Sequence, residues 1–142
     1  MILESIEDIQ NTNLPEPIKQ LFIEAFENGA RVESDQFTTP IIKHPDFHED
    51  SYLLIGYFGR DVHAWYKYNR NCNRALGTID PTDTYDNIIK DLIKNANTCP
   101  HCNKLLGANK LKSYGFASFA CDDCYKDAYD KFRKINGNNW WN

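Results

Sequence analysis

Apolar positions along this chain change their period twice before residue 97. Over residues 2–10, Ile2, Leu3, Ile6 and Ile9 recur at helical spacing, which predicts a short first helix. Asn11-Thr12-Asn13 interrupts it. Leu14, Ile18, Leu21, Phe22, Ala25 and Phe26 then form one stripe, predicting a second helix. Pro15 suits its first turn, where a missing N–H costs little, and Asn28-Gly29 supplies the stop. Residues 31–50, with Pro40, Pro45 and scattered acids, read as loop or irregular edge structure. From residue 51 the period falls to two. Residues 51–58 (SYLLIGYF) and 62–68 (VHAWYKY) are rich in β-branched and aromatic side chains on either side of Gly59-Arg60-Asp61, which predicts a β-hairpin. Residues 74–79 predict a third short strand. Helical spacing returns after Asp80-Pro81-Thr82-Asp83, with Tyr85, Ile88, Ile89, Leu92, Ile93 and Ala96 on one face. Asp86 near its start and Lys90 and Lys94 near its end complement the helix dipole. Residues 1–97 therefore predict an α+β unit: a small antiparallel sheet flanked by helices.

Cysteine changes the picture after residue 97. Cys99-Pro-His-Cys102 and Cys121-Asp-Asp-Cys124 form two CxxC pairs separated by eighteen residues. Each CxxC turn aims two sulfurs at one point, and two such turns complete a tetrahedron that suits Zn²⁺. A closed shell of four thiolates leaves no position for substrate or water, so the expected role of the centre is structural. Residues 110–120 predict a hairpin with Gly115 near its turn. A last helix follows, with Cys121 and Cys124 at its start and Tyr125, Ala128, Tyr129, Phe132 and Ile135 on its apolar face. Asp122 and Asp123 occupy its first turn, Lys131, Arg133 and Lys134 its last, and Gly137 follows. Knuckle, hairpin and ligand-bearing helix over residues 98–136 resemble the treble-clef zinc finger. The resemblance implies one zinc held by Cys99, Cys102, Cys121 and Cys124. Treble clefs serve nucleic-acid-binding, ubiquitin-related and purely structural roles, so it does not choose a function. The expected division is 1–97, the α+β unit, and 98–142, a zinc-binding module with an Asn/Trp-rich tail.

Composition sets the setting for that chemistry. The 142 residues include 42% hydrophobic and 13% aromatic side chains, enough for one ordinary domain or a small domain with a metal-stapled appendage. No apolar run approaches the roughly 18–20 residues that cross a bilayer. The opening MILESIEDIQ lacks the basic and apolar regions of a signal peptide. A cytoplasmic protein without membrane contact is expected, and reduced thiols there favour metal over disulfide. The fifth cysteine, Cys72, reads as a small buried or half-buried side chain.

Charge bears on partners. Residues 1–98 hold nine basic and sixteen acidic residues, a net charge of −7, while residues 99–142 hold seven and four, a net charge of +3. The acidic segment suits a protein partner better than a phosphate backbone. The stretch 60–74 (RDVHAWYKYNRNCNR) is the exception, because aromatics interleaved with Lys and Arg can stack bases and neutralise phosphates. On a strand, Val62, Ala64, Tyr66 and Tyr68 share one face and His63, Trp65 and Lys67 the other. The plainer reading is one core face and one solvated face. Trp65 and Lys67, with Arg70 and Arg74 beyond the strand, are the candidate partner-binding residues. Trp140-Trp141 add a second candidate contact, or pack back on their own domain. Nucleic-acid binding is the alternative to a protein partner.

Several catalytic readings fail on missing residues. Cys-Pro-His-Cys occurs in thioredoxin-fold oxidases, but that chemistry needs a strand before the motif, and here a helix precedes it. Zinc deaminases need an HxE motif, and none of His44, His48, His63 or His101 begins one. Nucleases of the HNH type need a catalytic His between the pairs, where only His101 inside the knuckle is found. His44-Pro-Asp-Phe-His48-Glu-Asp could hold a second metal, but Pro45 argues against a helical pair and a solvated polar loop is expected. With no nucleophile–base pair and no Gly-rich phosphate loop, no enzyme is expected. In residues 1–96, Leu14-Pro15-Glu16-Pro17-Ile18, Asn28-Gly29, Ile55-Gly56-Tyr57-Phe58 and Tyr85-Asp86-Asn87-Ile88-Ile89 come in an order similar to the SUKH superfamily of α+β proteins. Many of that superfamily are toxin-immunity proteins, so the resemblance implies a protein-binding role without catalytic residues. Ala30 stands where the family has a second glycine.

Overall fold

The computed structural model describes residues 1–35, 37–69, 72–114 and 118–136. Arg70, Gly115, Gly137, Trp140 and Trp141 lie outside the described residues. Six antiparallel strands follow one another in chain order without a crossover: β1 (Ile2–Leu3), β2 (Arg31–Ser34), β3 (Thr38–Ile42), β4 (Tyr52–Phe58), β5 (Asp61–Asn69) and β6 (Cys72–Ile79). Helices α1 (Ile6–Gln10), α2 (Glu16–Glu27) and α3 (Tyr85–Ala96) complete the expected α+β architecture. The β4–β5 hairpin runs in register from Tyr52↔Lys67 to Phe58↔Asp61. Among the described residues no helix is long and apolar enough to cross a membrane.

Two stretches depart from the sequence expectation. Ile2 and Leu3 pair with Glu33 and Val32 as a strand and do not open a helix. The reason is a cap. The Ser5 side chain accepts from the Asp8 N–H at 3.1 Å and the Asp8 carboxylate accepts from the Glu4 N–H at 3.0 Å, which starts α1 at Ile6 and leaves the apolar pair before it free to extend. Within residues 31–50, expected to be irregular, Arg31–Ser34 and Thr38–Ile42 form β2 and β3. Val32 there is buried. Pro40 is tolerated because β3 pairs with β4 only from Ile41 onward, so its missing N–H falls where that ladder has not begun.

The second CxxC region forms its own two-stranded sheet, β7 (Leu111–Ser113) with β8 (Phe119–Cys121), followed by α4 (Asp122–Asn136). Its apolar residues are not separate from the first. Cys99, Ala108, Leu111, Phe119 and Cys121 belong to one buried cluster with Phe22, Phe47, Leu53, Ile55 and Tyr66. Asn97, the C-cap of α3, locks the two segments together. Its carbonyl accepts from the Leu106 and Gly107 N–H groups, both at 3.0 Å, and its Oδ1 accepts from the Ala108 N–H at 2.7 Å. Asn97→Leu is expected to cost about 1–3 kcal/mol, the penalty for orphaning a buried N–H, and urea titration will read it as a lowered midpoint with unchanged slope.

Candidate metal centre

The centre is assembled from three places in the fold. Cys99 lies two residues beyond Asn97, the C-cap of α3. The chain then folds back as a knuckle: the Cys99 N–H donates to the Lys104 carbonyl at 2.9 Å, and the Asn103 N–H donates to the Cys99 carbonyl at 2.8 Å. Asn103 takes a φ of 62°, a left-handed conformation that Asn adopts more readily than most residues. Cys121 ends β8 and does not start the helix, so the second pair spans the strand–helix junction and only Cys124 lies in α4. Cys99 and Cys121 are buried, Cys102 and Cys124 half-buried.

The four sulfurs lie within 4.8 Å of one another, and Cys102 Sγ and Cys121 Sγ are 3.7 Å apart. Tetrahedral sulfurs about 2.3 Å from a zinc ion stand about 3.8 Å apart, so this edge already has the length of a coordination edge. All four thiols are free. The cluster is compatible with a zinc site. It is the one group of His, Cys, Asp and Glu ligand atoms near enough to hold an ion among the described residues. His101 is not part of it: its Nε2 lies 2.8 Å from the Tyr114 hydroxyl.

The thiols are electrically unequal. Burial works to raise Cys99, but the Cys121, Cys102 and His101 backbone N–H groups and the Cys102 side chain outweigh it and bring the thiol down to about 6. Burial pushes Cys124 up to about 12, with help from the neighbouring Cys121, Cys102 and Cys99 sulfurs. Four thiolates concentrate negative charge that a cation relieves. One protein cation stands beside them. Arg74, on β6, is only 8% exposed and donates to the Ala96 carbonyl at 3.3 Å and to Asn95 Oδ1 at 3.4 Å. Burial lowers its pKa and the Cys99 charge opposes that lowering. Arg74 thus points inward, away from the stretch where Trp65 and Lys67 lie. Its sequence signal was register: opposite Tyr66, it shares the core face. Arg74→Gln is expected to weaken metal retention about 10–100-fold, the range for residues that support metal ligands, as measured by competition with a chromogenic chelator.

His48 also lies elsewhere than expected. The loop 43–51 is not simply solvated, because His48 is half-buried and pins it to both sheets. The His48 N–H donates to the Tyr66 hydroxyl at 2.9 Å, and His48 Nδ1 lies 2.8 Å from that same oxygen. A His48 ring N–H also bonds the Leu111 backbone; with that proton on Nε2, Nδ1 accepts from the Tyr66 hydroxyl. Burial lowers the His48 pKa, and a hydrogen bond to the Leu111 backbone opposes it. Phe119 packs its ring edge on Tyr66 and Tyr68 at 6.0 and 5.6 Å. His44 instead lies 3.8 Å from the Asp46 carboxylate.

The alternation along β5 is as the spacing predicts: Val62, Ala64 and Tyr66 are buried, His63, Trp65 and Lys67 only half-buried. On that second face Phe37, Phe58, His63 and Trp65 form a continuous ring cluster, with centroid distances of 4.6 Å for Phe37–Phe58, 5.3 Å for Phe58–Trp65 and 5.8 Å for His63–Trp65. Gly56 makes room for it. A Cβ there would stand 3.0 Å from the Phe58 ring and 3.4 Å from Trp65. No protein-family model, curated protein or solved structure matches the chain, so the SUKH and treble-clef resemblances stand on their motifs and the function is read from the geometry.

Proposed function

We propose that this chain is a non-enzymatic, cytoplasmic binding protein in which a treble-clef-like zinc module braces an acidic α+β unit. It acts by holding a protein partner, as an immunity or inhibitor protein does. The observation that carries the reading is the ring cluster on the sheet face opposite the described helices. Phe37 and Phe58 remain 45% and 42% exposed there, and Trp65 lies beside them. Exposed aromatics held rigid by a sheet are the side chains that anchor protein interfaces. Four sulfur ligands favour zinc over harder cations and leave no open coordination position, so the metal serves the fold.

The second reading, nucleic acid, draws on the His63–Trp65 pair beside Lys67, where bases could stack. The surrounding charge weighs against it. Asp61 and Glu33 share the same face, and the Arg31 side chain is held by Glu33 at 2.9 Å. A pull-down with the zinc-loaded chain separates the two. A protein partner retained at about 0.5 M salt, and weakened about tenfold or more by Trp65→Ala, supports the proposal. Binding to single-stranded RNA or DNA that falls steeply with salt and with Lys67→Ala replaces it with the second reading.

A further inference from the structure

We propose that the sheet face opposite the described helices pairs with a second copy of this chain, making a two-fold symmetric dimer that is the resting state of the protein. This rests on reading the face as a binding surface, and names its first occupant. The argument is charge order. Along β5 the outward row runs Asp61, His63, Trp65, Lys67, with the aromatic pair in the middle and opposite charges at its ends. Among the described residues neither Asp61 nor Lys67 enters an ion pair, while Arg31 and Glu33, the other charged pair on the face, satisfy each other.

Consider a two-fold axis lying in the interface and crossing β5 at the level of Ala64. It sets the same strand of the second copy antiparallel on top. Lys67 then meets Asp61 of the second copy, Trp65 meets its His63, and both contacts occur twice. A row charged alike at both ends could not pair with itself in this way; this one can. The remaining side chains suit burial. Leu54 and Ile41 flank Trp65 on β4 and β3, and Phe58 and Phe37 continue the apolar surface. The six strands hold two to nine residues each, thirty-five in all, and at about 4.8 Å spacing and about 3.4 Å rise they give a face of on the order of 600 Å² before side-chain relief, close to the roughly 800 Å² per partner of a stable interface. Two sheets stacked in this way form an aligned sandwich, a common solution for a half-apolar sheet.

Sedimentation equilibrium of the zinc-loaded full chain tests it. The expected mass rises with concentration from that of the 16.5 kDa chain to twice that value. Lys67→Glu and Asp61→Lys should each weaken the dimer about tenfold or more, because like charges then face each other twice. The double variant Asp61→Lys/Lys67→Glu should restore it, since each pair is reversed and kept. Both positions lie at the margin of the face, and circular dichroism checks that each variant is folded. A single 16.5 kDa species at every concentration up to about 200 µM overturns the proposal. So does a dimer indifferent to the single swaps, or one that the double swap fails to rescue. A monomeric chain that still loses its partner through Trp65→Ala overturns self-association alone and leaves the partner reading standing.

Discussion

Stripping the metal from the folded chain is expected to unfold residues 98–136 and to loosen the sheet against which they pack. The module has little else to hold it. Its two strands are three residues each and its helix fifteen, and segments of about 40 residues or fewer seldom fold without a metal or disulfides. Structural zinc supplies an apparent 10–16 kcal/mol or so to small zinc-finger peptides at pH 7, about as much as the whole stability of an ordinary domain. The loss will spread. Cys99 and Cys121 are buried in the same cluster as Leu53, Ile55 and Tyr66, and Arg74 on β6 stands beside Cys99, so disorder at the centre reaches the sheet directly. Hydrogen exchange on chelator-treated protein should show residues 98–136 losing protection first and β5 and β6 next. A fall in Tm of roughly 15 °C or more should accompany it, as a loss of several kcal/mol implies for a chain of this size. Cys99→Ser should reproduce the effect without chelator. Exchange and Tm unchanged by chelation, in a chain bearing a Cys99–Cys102 disulfide, would remove the metal from the account.

The parts of this fold that local sequence determines were readable and the parts that depend on distant pairing were not. The α2 stripe, the hairpin around Gly59 and the α3 stripe each carry their period within a dozen residues, and all three elements are present. The strands β2 and β3 are short and contain Pro40; only the partner strands β1 and β4 make them strands. Ile2 and Leu3 fit a helix stripe as well as a strand, and the Ser5 cap decided between them. At the metal centre, spacing named the four cysteines because a CxxC turn is self-contained. It could not name Asn97, which acts only because α3 ends beside the knuckle, nor Arg74, whose inward direction follows from its register opposite Tyr66. His48 was hidden by its loop. Its partners Tyr66 and Leu111 are eighteen and sixty-three residues away in sequence, and no local pattern links them.

That junction is where the second large effect is expected. Tyr66 is 1% exposed and is the largest fully buried side chain among the described residues. Tyr66→Ala removes an aromatic ring touched by Phe47 and Phe119, and is expected to cost about 3–5 kcal/mol as an unfilled cavity. Tyr66→Phe keeps the ring and removes one oxygen. It should cost about 1–3 kcal/mol, because the His48 N–H then loses its acceptor and Nδ1 its donor. The same pair makes stability depend on pH. Burial holds the His48 pKa below its ordinary 6.5, so on acidification the unfolded chain takes up a proton before the folded one does. The contribution is fully present above pH 6.5 or so and is lost as pH falls through that value toward the lower folded pKa. Protonation at Nδ1 also removes the acceptor that the Tyr66 hydroxyl uses. Urea midpoints measured from about pH 7.5 down to 5 should therefore decline for the wild type. His48→Asn, which keeps an acceptor and cannot titrate, should flatten the decline. A wild-type slope equal to that of His48→Asn would show that the proton is taken up elsewhere, and would leave Tyr66 as a packing residue whose hydroxyl merely fixes a loop.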